Sequence, residues 1–481
     1  MLITGLTALY VICALLLTLY AAGAFILLIS YLRRRRRVVS QPPIAAWPTV
    51  AVQLPIYNEI YVVERLLDAV SRLDYPRDLL TVQVLDDSTD GTTSVIAERV
   101  ALLRRRGLNI EHVRRGSREG YKAGALAHGM ALLNSEMVAV FDADFIPPRD
   151  FLRRTIPHLV ADAGLGMVQA RWGHLNTGEN ALTMGQTLAL DGHFVVEQTA
   201  RNRSGWLINF NGSGGVWRAS AIRGAGGWQA DTLTEDLDLS YRAQLDGWRF
   251  LYLNDLVVPG ELPPQIAAYK QQQARWAKGG TQCLVRLIGA VWHSPRLKLS
   301  QRIMGTLHLC QYMVHPVLIL LLLLTPPLLI SRSLQNLSLG PLGIAGIAPP
   351  LIFIVSQQAL YPDWRRRLLA LPALLVLGTG ISWSNARAVM SGFFSKQGEF
   401  KRTPKFRADW KHRAYALPVD KNILWEALLA AYSLWGVTVA LRYAPSLALY
   451  LGIYSFSFAL MALWGLRDHF DIKRSALHPV H

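Results

Sequence analysis

The chain has 481 residues, more than one ordinary domain holds, and 51 % of them are hydrophobic. A mean hydropathy of +0.22 is one that water-soluble enzymes rarely reach, so an all-soluble protein is excluded and membrane-spanning segments are expected. The formal charge of +17 does not point to nucleic acid, because Lys and Arg stand in blocks beside apolar runs, where membrane topology and anionic lipids account for them.

Residues 2–32 form an apolar stretch that stops at Arg33, Arg34, Arg35, Arg36 and Arg37, with neither a charged start nor a small-residue cleavage signature. An uncleaved anchor over 1–37 is expected. Positive flanks stay in the cytoplasm, which puts the N-terminus outside and the next domain, 48–285, inside the cell. There, Val50–Leu54 and Thr81–Leu85 read as buried strands, with helical patterns near 60–72 and 92–106. This is βαβ order. Val138–Phe141 adds a strand, so an α/β domain with an open parallel or mixed sheet is predicted, its ligand at the carboxyl ends of the strands.

Apolar spans follow near 303–331, 343–361, 423–442 and 445–466. The stretch 368–390 turns polar at Thr379, Ser382, Ser384, Asn385 and Arg387. A full crossing there would put the basic loop 391–418, with Lys396, Lys401, Arg402, Lys405, Arg407, Lys411 and Arg413, outside. It is therefore expected to be interfacial or re-entrant, giving about five spans, with six as the alternative, in a helical region 286–481. Cys13, Cys283 and Cys310 are too scattered for a disulfide framework or a zinc site.

Candidate chemistry sits at the strand ends. Asp86 and Asp87 follow Thr81–Leu85 and precede a turn of Ser88, Thr89, Asp90 and Gly91, where open sheets bind nucleotides; a solvated turn or helix cap explains them as well. Asp142 and Asp144 end the strand Val138–Phe141. If the extended conformation persists, both carboxylates project from one face, a pair suited to Mg²⁺ or Mn²⁺ and hence to a diphosphate. Thr234, Glu235, Asp236 and Asp238 lead into a helical pattern over Leu237–Leu245, so capping and the helix dipole offer a structural reading beside the chemical one. Gln272, Arg275 and Trp276 share one helical face. They suit an interfacial anchor, or a site for a sugar acceptor and an anionic leaving group.

In this order, between transmembrane segments, Asp-Asp, Asp-x-Asp, Thr-Glu-Asp and Gln-x-x-Arg-Trp resemble the family 2 glycosyltransferases that include cellulose, hyaluronan and curdlan synthases. The stretches Gln83 to Asp90, Gly120 to Leu126, Phe141 to Phe145, Val168 to Trp172, Phe210 to Gly212 and Gly226 to Trp228 look like the plant cellulose-synthase-like mannan and xyloglucan-backbone synthases. The likeness covers about residues 48–285 closely and the later membrane region loosely. It implies a GT-A, Rossmann-like fold for the α/β domain. Position by position, it implies that Pro55, Tyr57, Asn58, Glu59, Asp86, Asp87, Lys122 and Asp142 hold the nucleotide, and that Asp142 and Asp144 hold Mg²⁺ or Mn²⁺. Asp236 would be the general base, with Glu235 and Arg275 beside it in catalysis, and Asn211, Gly212, Gln272 and Trp276 would bind the acceptor.

The resemblance thus implies a processive inverting β-glycosyltransferase of the cytoplasmic membrane, using UDP-glucose or GDP-mannose to extend a β-glucan or β-mannan into a transmembrane channel. Addition of one sugar to a lipid such as ceramide or diacylglycerol is the alternative, and a sugar-nucleotide-binding scaffold the non-enzymatic one. Gly398 to Lys405 partly matches the Phe-x-Val-Thr-x-Lys gating loop of cellulose synthases, and is expected to approach the donor phosphates or a lipid headgroup. With about 15 residues after the last span, no appended cyclic-dinucleotide domain is expected.

Overall fold

The computed structural model describes residues 1–37, 39–335, 346–395, 402, 403, 405, 420 and 422–477. Seven strands form one mixed sheet: β1 (Val50–Ile56), β2 (Leu80–Asp86), β3 (Ile110–Val113), β4 (Met137–Val140), β5 (Leu165–His174), β6 (Gly215–Arg218) and β7 (Arg249–Gly260), in the order β3-β2-β1-β4-β6-β5-β7. β1, β2, β3 and β4 run parallel, as the βαβ pattern predicts, and β6 lies antiparallel between β4 and β5. The apolar runs of β1, β2 and β4 suit strands covered on both faces. One face packs on Val63, Leu66, Leu67, Ile96 and Val100, the other on Leu126, Met130, Leu239 and Ala243.

The chain leaves β1 toward β2 and β3, then returns to the other side of β1 as β4, so the strand order reverses there and a crevice opens at the carboxyl ends. The loops after β1, β2 and β4 meet in it. Below, the long helix Ile266–His293 runs from the sheet domain to the apolar helices. Its Lys270 is buried between Asp420 at 2.9 Å and Glu426 at 2.7 Å, the latter on the helix Ile423–Tyr443.

Among the described residues, four helices are long and apolar enough to cross a membrane: Leu2–Arg34, Gln311–Ile330, Ile423–Tyr443 and Pro445–Asp468. The fifth candidate differs from the expected one. Ala348–Leu360, inside the expected span 343–361, has 13 residues and reaches only about 20 Å, short of the roughly 30 Å hydrocarbon core. The pair Trp364–Gly380 and Ser382–Phe394 is long and apolar enough only when taken together and bends by 42°, the geometry of a broken span or a re-entrant segment.

Gly279 is where the long helix meets the sheet domain. A Cβ there would lie 2.6 Å from Thr234 Cγ2 and 2.9 Å from the Thr234 backbone nitrogen, so only glycine permits this approach. Gly279→Ala is expected to destabilise the protein by about 1–3 kcal/mol through overpacking. Thermal unfolding in detergent would show a lowered midpoint, with little change for Gly289→Ala, whose Cβ meets open space.

Candidate active site

The crevice is lined by Pro55 near the end of β1 and Tyr57 and Glu59 after it, Asp87 after β2, Lys122 of the helix Tyr121–Ala131, Asp142 and Asp144 after β4, Asn211, Gly212, Glu235, Asp236, and Gln272, Arg275 and Trp276 of the long helix. Residues far apart in sequence converge because three strand ends and three helices open onto one space. Glu235 is the first residue of the helix Glu235–Leu245, so Glu235 and Asp236 sit at its positive end. Thr234 precedes them but makes no side-chain cap; its hydroxyl lies 3.3 Å from Cys283 Sγ. Helix capping therefore does not explain the threonine.

Lys122 ties the acidic groups together. Its Nζ lies 2.5 Å from Asp142 Oδ1 and 3.7 Å from Glu235, and donates to the Gly212 carbonyl at 2.8 Å. Burial works against this ammonium, but Asp142 and Glu235 outweigh it and hold its pKa above the usual lysine value. Asp236 is shifted up to about 7, first by burial and then by the adjacent Glu235 charge, with Lys122 and the Leu237 N–H pulling the other way. Burial lowers the pKa of Arg275, while Glu235, Asp142 and Asp236 favour its charged form. Gly212 has φ +83°, and a Cβ there would stand 3.0 Å from Asp236 Oδ2 and 3.4 Å from Lys122 Nζ. Glycine is required both by the backbone and by the space.

Asp142 and Asp144 do not share an extended face. β4 ends at Val140, and a turn closed by the Phe145 N–H donating to the Asp142 carbonyl at 3.1 Å separates the two side chains. Asp142 faces Lys122, while Asp144 Oδ2 accepts from the Glu261 N–H at 3.0 Å and pairs with Lys405 at 2.9 Å. No group of three or more metal-ligating side chains occurs among the described residues. The two carboxylates, each facing an ammonium, nevertheless fit a hard cation such as Mg²⁺ or Mn²⁺ that completes its shell with substrate oxygens.

Two expected nucleotide contacts lie outside the crevice lining. Asp86 turns away: its carboxylate accepts from the Ser88 N–H at 2.8 Å and meets His112 Nε2 at 2.9 Å, which makes it a turn former. Asn58, at φ 54°, exchanges hydrogen bonds with Ser88 and Thr89 and braces the loop. Asp87 does line the crevice, but Arg115 grips it bidentately at 2.7 and 2.5 Å.

Sequence reasoning missed Arg115, Arg118 and Glu261. Arg118 stacks on the Tyr57 ring at 3.4 Å, and the run Arg114-Arg115-Gly116-Ser117-Arg118 was the available signal. Of the expected gating segment, 398–401 and 404 lie outside the described residues, as do Lys396, Arg407, Lys411 and Arg413; Arg402, Thr403 and Lys405 line the crevice. Arg402 pairs with Glu59 at 2.9 Å, and Glu59 is itself pushed up to about 8, chiefly by burial.

A family model described as "Glycosyltransferase like family 2" matches residues 48–279. The chain is 43 % identical over 266 residues to "Glucomannan 4-beta-mannosyltransferase 1" of Oryza sativa subsp. japonica, covering 54 % of this chain and 50 % of that protein. It is 36 % identical over 365 residues to "Probable glucomannan 4-beta-mannosyltransferase 7" of the same plant, covering 74 % and 61 %. Identity to "Glucomannan 4-beta-mannosyltransferase 9" of Arabidopsis thaliana is 44 % over 239 residues, covering 49 % and 45 %. The chain thus spans about half the length of the curated relatives it matches. Among solved structures, mannosyltransferase PcManGT from Pyrobaculum calidifontis, in complex with GDP-Man and Mn²⁺, is similar with a TM-score of 0.53 at 22 % identity, over 82 % of this chain and 100 % of that one. That likeness concerns the fold, and the mixed sheet followed by a helical region is GT-A-like.

Asp236 is expected to titrate near pH 7, about three units above an ordinary aspartate. Lys122→Met should move it further up, since a cation that favours the carboxylate is gone. Infrared difference spectra of the carboxyl band, with Asp236→Asn as reference, would read both values; titration near 4 would contradict the burial argument.

Proposed function

We propose, from the match of residues 48–279 to the family model "Glycosyltransferase like family 2", that the chain is a membrane-embedded inverting mannosyltransferase that extends a β-linked mannan-type glycan. The observation that carries this reading is the continuity of the crevice with a second cavity of about 460 Å³ behind Asp236. That cavity is bordered by Trp172, Tyr269, Gln272 and Trp276 and reaches His315 and Phe353 among the apolar helices. Aromatic faces beside amide groups suit the CH faces and hydroxyls of a sugar chain, and the size falls within the range of ligand sites. A lipid chain would leave the amides of Asn209, Asn211, Gln272 and Gln273 on that lining without hydroxyl partners.

In this reading the sugar transferred is mannose, in keeping with the curated relatives' names, with GDP-mannose taken as its donor and UDP-glucose as the comparison substrate. Tyr57, Glu59 and Asp87 face the nucleotide, and Lys122 and Asp142 its diphosphate. A divalent cation at Asp144 and Asp142 would offset charge on the leaving diphosphate. Asp236 takes the proton of the acceptor hydroxyl, which is a poor nucleophile until that proton leaves. Arg275, half-buried near Asp142 and Asp236, stabilises the departing phosphate oxygens. One in-line displacement inverts the anomeric carbon and needs no covalent sugar intermediate. The arginine block at 33–37 supports a cytoplasmic position for this domain.

The purified protein, given GDP-mannose or UDP-glucose separately with Mg²⁺ or Mn²⁺, is expected to release GDP and to form a long β-mannan. Asp236→Asn should cut turnover by about 10²–10⁴-fold while donor still binds. A glycolipid as sole product, or release of neither nucleotide, would overturn the reading.

A further inference from the structure

The helix Ala181–Asp191 continues as a π-helical turn, Gly192–Gln198, before closing as Thr199–Arg203. π-turns are rare and recur at functional sites, because the extra residue re-aims the side chains around it. Here the turn places His193 and Glu197 on the wall of the cavity behind Asp236.

Four side chains form a directed chain of hydrogen bonds. Gln198 Nε2 donates to the Asn209 carbonyl at 3.1 Å and to Asn211 Oδ1 at 2.8 Å, which fixes the Asn211 amide with its Nδ2 toward His193 Nε2 at 3.2 Å. An amide nitrogen donates, so His193 Nε2 accepts, and the ring proton sits on Nδ1 and points at Glu197 Oε2, 3.2 Å away. Glu197 thus accepts the ring N–H of His193. Burial opposes that carboxylate, but His193 and Arg201 outweigh it and keep its pKa below the usual glutamate value. Neither Glu197 nor His193 belongs to the donor crevice. The carboxylate keeps 29 % of its side chain exposed, and that exposure is to the cavity it lines. Asn211 also anchors the other end: its backbone N–H donates to Gln169, and the next residue, Gly212, lies against Asp236.

We infer that Glu197, oriented by His193, binds hydroxyl groups of the acceptor glycan one or more sugars behind the reacting end, and that its charge selects neutral over anionic glycans. This rests on the reading of the cavity as the acceptor site. A carboxylate accepts two hydroxyl hydrogen bonds at once, and charge-assisted bonds of this kind are the stronger ones. Because the same chain reaches Gly212, a glycan held at Glu197 is held in register with Asp236. A uronate at that position would face a like charge in a poorly solvated space.

Steady-state kinetics of mannosyl transfer to soluble β-mannooligosaccharides test this. Glu197→Gln, which removes the charge and preserves the shape, should raise acceptor KM roughly 10- to 100-fold, while donor KM changes less than twofold. It should also narrow the preference for a neutral over a uronate-containing oligosaccharide. His193→Gln should shift acceptor KM in the same direction by a smaller factor, and serves should Glu197→Gln not fold. If whichever of these variants folds leaves acceptor KM within twofold of the parent while the parent extends the oligosaccharides, Glu197 has no such role. If the parent protein extends no oligosaccharide at all, the glycan reading of the cavity fails, and the role of Glu197 falls with it.

Discussion

The site depends on one electrostatic constraint: Asp142, Glu235 and Asp236 converge in a buried cleft, and in a low dielectric they cannot all hold charge without cations among them. Lys122 answers that constraint from the helix Tyr121–Ala131, and Arg275 from the long helix below. The result is a graded set. Asp142 shares a close ion pair, whereas Asp236 is left with a pKa near neutrality. A carboxylate poised in that way suits proton transfer, and its poise follows from where Lys122 sits.

Holding that arrangement is a task for packing. The parallel half of the sheet fixes the ends of β1, β2 and β4, and β6 and β5 extend it so that Gly212 arrives against Asp236. The long helix is then pinned from both sides, by the tight approach of Gly279 to Thr234 and by the buried Lys270 between Asp420 and Glu426. A lone charge left in that second place would be costly. The chemistry of the sheet domain and the seating of the apolar helices are thus joined through one helix.

The parts of this design written contiguously were the legible ones. Asp142 and Asp144 stand two residues apart after an apolar strand, Glu235-Asp236 opens a helix, and Gln272, Arg275 and Trp276 share a helical face; each cluster brings its own local context. All line the crevice. Pairings across long loops left no such trace. Nothing near Asp87 announces Arg115 as its partner, and nothing near Asp144 announces Lys405, 261 residues on. Asp86 and Asp87 look alike as neighbours in sequence, yet the alternation of a strand sends one inward to His112 and the other to the crevice. The edge strand β3 and the π-turn were also silent, since a short half-exposed strand and one added helical residue barely alter the hydrophobic pattern.

Under the proposed reading, the contact between Lys405 and Asp144 would make the crevice an ion-exchange site. Any divalent cation that settles on Asp144 does so in exchange for an ammonium already there, which also donates to the Glu261 carbonyl. Its apparent affinity is therefore a difference between two binding free energies. The displaced ammonium does not leave the molecule. Being part of the same chain, it would be at high effective concentration for whatever negative charge enters with the metal. Cation and anion then favour each other's binding through a side chain that need touch only one of them at a time.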